Sequence, residues 1–393
     1  MTQRGPNDRS DVLFVGFVGG TGGASTIMLE LAARMASRGV KVKIIVPAYD
    51  TTLPYRERGR QRAVVIERSP LLVERRFELR NVIDAMRFVR GCRAPVVHFH
   101  LGNSNTIPRN FLAAMKLLRL PPVYVTPHTN ADDPLPHDPR ARRWAAAASR
   151  QLKKVICVSE RSRRRQLSYG LPPEKVELIH NGVDVAAFGA GNSSRVRKRL
   201  GVGADVPVIL VSSRIEREKR PLDAVRAFSL IAPVFPRAHL VFIGQGSVEA
   251  EVKTAAAQVG LSDRIHFPGF QVNVADWLAA ATVWLLPTES EGFSLAMLEA
   301  LAAGCPVVST NCPGNDELVS DGANALLAPI GNVEQIAGAL QRLLSDEGLR
   351  ARLSASARST AQQYSLDHTV ESHLACYTTD EGRNRLWGRT KSA

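Results

Sequence analysis

Residues 12–46 read VLFVGFVGGTGGASTIMLELAARMASRGVKVKIIV, and this stretch decides the architecture. It opens with the apolar run Val12–Val18 and passes through Gly19-Gly20-Thr21-Gly22-Gly23 into an amphipathic stretch, Thr26–Ser37. It ends in a second apolar run, Lys41–Val46. Strand, helix and strand in that order make a parallel crossover unit. Glycines at such a turn let the backbone approach a ligand, and the helix start that follows favours an anion. No Gly-Lys-Ser/Thr follows, so this is not a Walker loop. Val46 is followed by Pro47-Ala48-Tyr49 rather than an acidic residue, so the dinucleotide fingerprint is incomplete as well. A tight strand-to-helix turn accounts for the loop equally well.

The same alternation continues on both sides of this unit. Val96–Phe99, Val123–Thr126, Val155–Val158 and Val176–Ile179 read as further buried strands, separated by helical stretches such as Asn105–Leu118 and Arg140–Leu152. In the second half, Val208–Ser212, Leu240–Ile243, Arg264–Phe267, Val283–Leu286, Val307–Ser309 and Ala325–Ala328 alternate with Leu222–Ile231, Val248–Val259, Val274–Ala280, Ser294–Ala303 and Val333–Leu344. The expected class is α/β, with two doubly wound parallel sheets facing a cleft. Ligands of such sheets bind beyond the carboxyl ends of the strands. The turn Asn181-Gly182-Val183-Asp184, followed by the small polar run 189–194, places the boundary between domains 1–190 and 191–365. Residues 378–393 read as a polar tail.

A length of 393 residues fits two domains, and 45% hydrophobic with 22% charged residues is ordinary globular composition. No run approaches the roughly 18 apolar residues of a membrane helix. Val12–Val18 is too short for a signal-peptide core, which points to the cytosol. The five cysteines are scattered, with no C-x-x-C pair, so neither a disulfide framework nor a zinc site is expected. The formal charge of +14 is uneven. Residues 1–190 hold 31 Lys and Arg against 16 Asp and Glu, and residues 191–393 hold 20 against 21, so the halves carry +15 and −1. The first half is therefore the one to meet an anionic partner.

Two loops carry the chemistry. Arg214 stands just past the strand Val208–Ser212, and Lys219 follows five residues later, so two cations at one strand end could clamp a diphosphate without a metal. Arg217 and Arg220 read as solvated charge beside Glu216 and Glu218. The segment Glu289–Ala300 follows the strand Val283–Leu286. It puts Glu291 in a loop ahead of a helix that starts near Ser294, and Glu299 inside that helix among Leu295, Met297, Leu298 and Leu301. A carboxylate on so apolar a helix calls for a partner or a ligand. The free N–H groups near Phe293–Ala296 add an anion-binding end.

Glu291 and Glu299, within EGFSLAMLEALAAGCPVVST, resemble the hallmark of the retaining glycosyltransferases of family four (glycosyltransferase group 1 type, GT-B fold). The resemblance covers nearly the whole chain. SRIEREK resembles that family's Arg/Lys diphosphate loop, and GGASTIMLELAARMASRGVKV its glycine-rich loop and first helix. VVHFH, VTPHTN and LIHNGVDVAAF resemble its later first-domain motifs, and LVFIGQGSVEAEVKTAAAQVGLSDRIHFPGF its nucleotide region.

The resemblance implies that Arg214 and Lys219 hold the diphosphate. Glu291, with the N–H groups of Gly292, Phe293, Ser294 and Leu295 after it, would bind hydroxyls of the donor sugar, and Glu299 would bind the ribose. Gly22 and Gly23 would approach the phosphate or the acceptor, and His128 would contact the sugar near the reacting carbon. Gly244, Gly246, Phe270 and Gln271 would lie near the nucleoside. It also implies a final helix, about 366–377, that crosses back to the first domain. Three positions depart from the family pattern: Arg220 stands where glycine often follows the lysine, Thr282 where aspartate is common, and Gln245 where aspartate often separates two glycines.

The function so implied is transfer of a sugar from a UDP- or GDP-sugar to an acceptor hydroxyl on a glycolipid, polysaccharide precursor or phosphorylated small molecule. It proceeds with retention and needs neither metal nor cofactor. A nucleotide-sugar epimerase and a sugar phosphorylase are the alternatives on the same fold. Nucleic-acid binding is not expected, since no recognised motif or aromatic platform accompanies the basic half. That half suits an anionic acceptor or an acidic membrane surface, which would make the protein peripheral on the inner membrane face. The residues pointing to it are Arg56, Arg58, Arg60, Arg62, Arg75, Arg76 and Arg80, with Leu71, Leu72, Val73 and Phe77 between them. Of the other histidines, His98 reads as packing, His100 as a cleft residue and His180 as structural.

Overall fold

The computed structural model describes residues 10–17, 22–47, 65–69, 87, 89–91, 94–102, 109–119, 123–128 and 139–378. The basic patch between Arg56 and Arg80 and the tail beyond Thr378 lie outside the described residues. Two parallel sheets organise the chain. The first contains β1 (Val12–Phe17), β2 (Val42–Pro47), β3 (Val65–Ser69), β4 (Val96–Leu101), β5 (Val123–Pro127), β6 (Lys154–Cys157) and β7 (Val176–Leu178), in the order β3-β2-β1-β4-β5-β6-β7. The second contains β8 (Val208–Ser212), β9 (His239–Ile243), β10 (Ile265–Gly269), β11 (Val283–Leu286), β12 (Val307–Thr310) and β13 (Leu326–Ala328), in the order β10-β9-β8-β11-β12-β13. Each sheet is doubly wound. The strand order reverses between β1 and β4 in one and between β8 and β11 in the other, and these reversals are where ligands of such sheets bind.

Burial on both faces explains the near-continuous apolar runs. On one face of the first sheet, Val97, Phe99, Val123 and Val125 pack with Leu112, Met115 and Trp144 from α2 (Arg109–Leu118) and α3 (Pro139–Gln151). The other face of β4 carries His98 and His100, both 0% exposed. On that side lie α1 (Gly23–Ser37) and α13 (Leu366–Tyr377), which pack on each other. Arg34 and Arg38 of α1 tie to Asp367 of α13 at 2.7 and 2.6 Å. In the second sheet, Ile209, Val211, Leu240 and Phe242 pack with Ala224, Val225 and Phe228 of α7 (Pro221–Ile231).

The chain divides between Asn181 and Gly182 and returns to the first unit at Leu366. The break thus falls ahead of the 190/191 boundary expected from the small polar run. That run hides two helices, α5 (Val185–Gly189) and α6 (Ser193–Leu200), capped by Asp184 and Asn192. Helix α5 packs on α9 (Val274–Ala280) and α10 (Leu295–Ala303), which puts it in the second unit. Two further elements were not legible in the sequence. Edge strand β3 carries Glu67 and Arg68 in a five-residue run. Helix α12 (Glu347–Gln363) buries only Leu353, Ala357 and Ala361, a stripe too weakly apolar to show as a period. Among the described residues no helix is long and apolar enough to cross a membrane.

Candidate active site

The second unit gathers its candidates at the β8/β11 reversal. The chain leaves β8 at Ser212 and runs through Arg214 into a 3-10 turn, Arg217–Lys219. The loop after β9 lies hard against this segment. A Cβ at Gly244, whose φ is +144°, would collide with the Ser213 carbonyl oxygen, and one at Gly246 with that of Ile215. Hydrogen bonds seal the crossing, from Ile215 N–H to Gln245 O at 3.0 Å and from Val248 N–H to Ile215 O at 3.2 Å. Both glycines therefore shape the cationic loop through its backbone. Glu216 accepts from the Ser247 N–H at 3.0 Å and from the Ser247 hydroxyl, and the hydroxyl bond holds its carboxyl below the usual range.

Lys219 Nζ lies 2.7 Å from Glu291 Oε1, with side chains only 14% and 10% exposed. Arg214 is half exposed and bonds Glu218 at 2.7 Å. The two loops are knit together, since the Glu289 N–H donates to Glu218 O at 2.9 Å and Arg220 reaches Glu289 at 2.7 Å. Arg220 has a φ of +48°, in the left-handed region that glycine occupies without strain, so its ion pairs to Asp223 and Glu289 hold a backbone that glycine would take freely. Thr282, at another departure from the family pattern, accepts from the Val208 N–H at 3.1 Å, so its hydroxyl locks β8 beside β11.

Glu291 is backed by a residue that sequence reasoning missed. The Glu291 N–H donates to Pro313 O at 3.1 Å, and a Cβ at Gly314, with φ of +93°, would collide with the Glu291 carbonyl oxygen. The signal was the Pro313-Gly314 turn after β12. Helix α10 begins after Ser294, whose hydroxyl accepts from the Met297 N–H at 3.4 Å. The N–H groups at Leu295 and Ala296 have no intrahelical acceptor available to them. Met297, Leu298, Ala300, Leu301 and Ala302 are buried, while Leu295, Ala296 and Glu299 form one partly open stripe at i, i+3, i+4 spacing. Glu299 is thus on the helix face that still meets solvent.

Phe293 and Gln271 are committed to structure through their side chains. Phe293 is 4% exposed and packs edge-on against Tyr364 at 5.3 Å. Gln271 donates to Pro268 O at 2.9 Å and accepts from Arg199 at 3.0 Å. Phe270 and Gly292 are half-buried beside these loops. Among the described residues no group of three or more His, Cys, Asp or Glu side chains is placed to hold a metal ion.

In the first unit, Gly22 is the N-cap of α1 with φ of −75°, and Gly23 opens the helix. A Cβ at Gly22 meets no described atom within 4 Å, so neither backbone strain nor packing among these residues requires glycine there. His128 follows β5, with its N–H donating to Leu101 O at 2.9 Å. Burial pushes its ring down to about 3, and holds His98 and His100 well below the ordinary imidazole value. His98 is bonded to Tyr377 and Thr126, at 2.6 and 2.7 Å. His180 lends its carbonyl to Thr369 of α13 at 3.1 Å.

A lysine, two carboxylates and a helix start lie on the segments that follow β8 and β11, at the switch point of a doubly wound sheet, where ligands of such sheets bind. Residues 192–360 match the family described as glycosyl transferases group 1, and residues 21–187 match glycosyltransferase family 4. The D-inositol 3-phosphate glycosyltransferase of Acidothermus cellulolyticus is 31% identical over 91% of this chain and 86% of its own length. The N-acetyl-alpha-D-glucosaminyl L-malate synthase of Bacillus anthracis is 23% identical over 91% and 93%. The crystal structure of Anabaena HepE in complex with UDP and glucose aligns with a TM-score of 0.79 at 19% identity, covering 95% of this chain and 100% of that one. The chain belongs to the group 1, family 4 glycosyltransferases and has their GT-B fold of paired doubly wound domains. That membership favours the transferase over the epimerase and phosphorylase readings.

Proposed function

We propose that this glycosyltransferase moves a sugar from a uridine-diphosphate sugar to a hydroxyl of a small anionic acceptor, with retention at the anomeric carbon and without a metal. The observation that carries the reading is the largely buried Lys219–Glu291 pair at the β8/β11 reversal, 2.7 Å across, with Arg214 on the same loop. As the bond from the anomeric carbon to the diphosphate breaks, negative charge grows on the departing oxygen, and Lys219 and Arg214 stabilise it. One such fixed donor is worth about 3–4 kcal/mol in comparable sites. The acceptor oxygen bonds to the same face of that carbon, and its proton passes to the departing phosphate oxygen. Two cations on one loop supply the charge for which other transferases use a divalent ion, so the reading calls for none.

In this reading Glu291 binds sugar hydroxyls beside the lysine, and Glu299, on the partly open stripe of α10, binds the ribose. Gly22 and Gly23 leave backbone room for phosphate or acceptor, and His128 bonds a sugar hydroxyl. UDP is favoured because HepE, of the same fold, holds UDP and glucose. An anionic acceptor is favoured because two relatives are named for D-inositol 3-phosphate and L-malate, and the first half of this chain carries the positive charge. The test is incubation with UDP-sugars and either anion in the presence of chelator, with products identified by mass and anomeric NMR. A retained glycoside of one anion is expected. An altered free nucleotide sugar, an inverted product or strict dependence on a divalent ion contradicts the reading.

A further inference from the structure

Four histidines meet on the face of the first sheet that α13 covers: His98 and His100 from β4, His128 after β5, and His373 from α13. His98 has both ring nitrogens engaged, by Tyr377 and Thr126. His373 Nδ1 donates to the Thr369 carbonyl at 2.8 Å. His100 and His128 bond each other. His100 Nδ1 lies 2.9 Å from His128 Nε2, and the ring planes are 12° apart. Their outer nitrogens, His100 Nε2 and His128 Nδ1, are out of contact with solvent and take no partner among the described residues.

Burial keeps both rings neutral, and a neutral imidazole carries one proton. A bond between two neutral imidazoles uses a single proton, so the rings are locked to the same tautomer. If His128 Nε2–H donates, His128 Nδ1 is a bare acceptor and His100 Nε2 carries the other proton. If His100 Nδ1–H donates, His128 Nδ1 becomes a donor. The one hydrogen-bonding atom that His128 has left for a ligand is Nδ1, and its character is decided by His100. An unpartnered buried ring nitrogen is costly, and sites that keep one hold it for a group still to arrive.

We propose that His100 is the positioning residue of His128, fixing its ring plane and tautomer through the Nδ1–Nε2 bond so that His128 Nδ1 meets a hydroxyl of the bound sugar. The inference rests on the reading of His128 as a sugar contact. Its test uses the full-length chain with UDP-glucose and D-inositol 3-phosphate, and compares His100→Phe, His100→Asn and His128→Ala. Asparagine can place its amide where Nδ1 stood, and phenylalanine cannot.

The expected result is a turnover loss of roughly tenfold to hundredfold in His100→Phe, the range met when the partner orienting a ligating imidazole is removed. UDP affinity should be unchanged, and His100→Asn should recover most of the rate. Nitrogen-15 NMR of the unliganded protein should show His128 in one tautomer, with the ratio altered in His100→Phe. If His128→Ala is impaired while His100→Phe keeps wild-type turnover and tautomer, or while the asparagine and phenylalanine variants fall equally, the positioning role is overturned and the reading of His128 stands. If His128→Ala keeps full turnover, the reading of His128 fails and this inference with it. Should His100→Phe not fold, His100→Gln takes its place, since its amide reaches the Nε2 position instead; equal rates in the glutamine and asparagine variants would overturn the proposal.

Discussion

The two units share the order of their first six strands, the first unit adding a seventh, and put candidate residues at the same kind of reversal, yet they equip it in opposite ways. The second unit lines its reversal with charge. Lys219 and Glu291 face each other at 2.7 Å, Arg214 pairs with Glu218, and Arg220 pairs with Asp223 and Glu289. The first unit carries neutral groups there, a glycine-led helix start and histidines whose burial keeps them uncharged. Overall charge runs the other way, with +15 on residues 1–190 and −1 on 191–393. Local chemistry at a switch point is thus independent of the net charge of its domain. A diphosphate needs a cation within bonding reach, whereas net charge acts on what approaches from a distance.

The largest effect expected from this contrast is on the ion pair. Lys219→Ala should lower turnover roughly a hundredfold to a thousandfold, as loss of one fixed charge-stabilising donor does. The double variant with Glu291→Gln should fall by much less than the product of the two single losses, because the residues are in direct contact. Steady-state kinetics of the four proteins checks both statements. Glu299→Ala should act differently, weakening UDP roughly tenfold while turnover at saturation changes less, in keeping with a bond to a part of the donor that does not react. Calorimetric titration with UDP reads that difference.

Glycine substitutions sharpen the comparison next. Gly246→Ala and Gly244→Ala drive a methyl group into the carbonyls of Ile215 and Ser213, so each should destabilise the second unit by about 1–3 kcal/mol and displace the cationic loop. Gly22→Ala meets no described atom within 4 Å and no left-handed backbone, so it should leave stability within about 0.5 kcal/mol while lowering activity. Denaturant melts beside activity assays distinguish a glycine kept for the fold from one kept for a ligand.

A separate effect is on acid stability. Burial lowers the His98, His100, His128 and His373 rings in the first unit, the last two to about 3 and 4 from 6.5. In the second unit only the half-buried pair His239 and His266 is lowered, mainly by burial. Below pH 6.5 the unfolded chain binds protons that the folded rings refuse, so stability falls as pH drops from 6.5 toward 4. The first unit should lose protection first, and hydrogen exchange followed by mass spectrometry across that window shows which unit opens.

Legibility followed the same divide. The positions of Glu291, Glu299, Arg214 and Lys219 could be read because they lie on segments that directly follow strands and on one helix, all short-range patterns. What Gly244 and Gly246 do could not be read, since the segment they accommodate, Ser213–Ile215, lies about thirty residues earlier. Gly314 was hidden for the same reason, its partner being the Glu291 backbone. The histidine cluster was the hardest. His100 and His128 are 28 residues apart, and His98 and Tyr377 are 279 apart, so no local pattern announces them. The outer helix α12 escaped because alanine packs a helix face without leaving a hydrophobic period.

The central claim is that the second unit alone supplies the cationic grip on the nucleotide, without a metal. Calorimetric titration of UDP into the wild type, Lys219→Ala and His128→Ala, all in chelator, tests it most directly. The account predicts binding to the wild type, a loss of at least about tenfold in Lys219→Ala, and wild-type affinity in His128→Ala. Binding that appears only when a divalent ion is restored, or equal affinity in the wild type and Lys219→Ala, would contradict it.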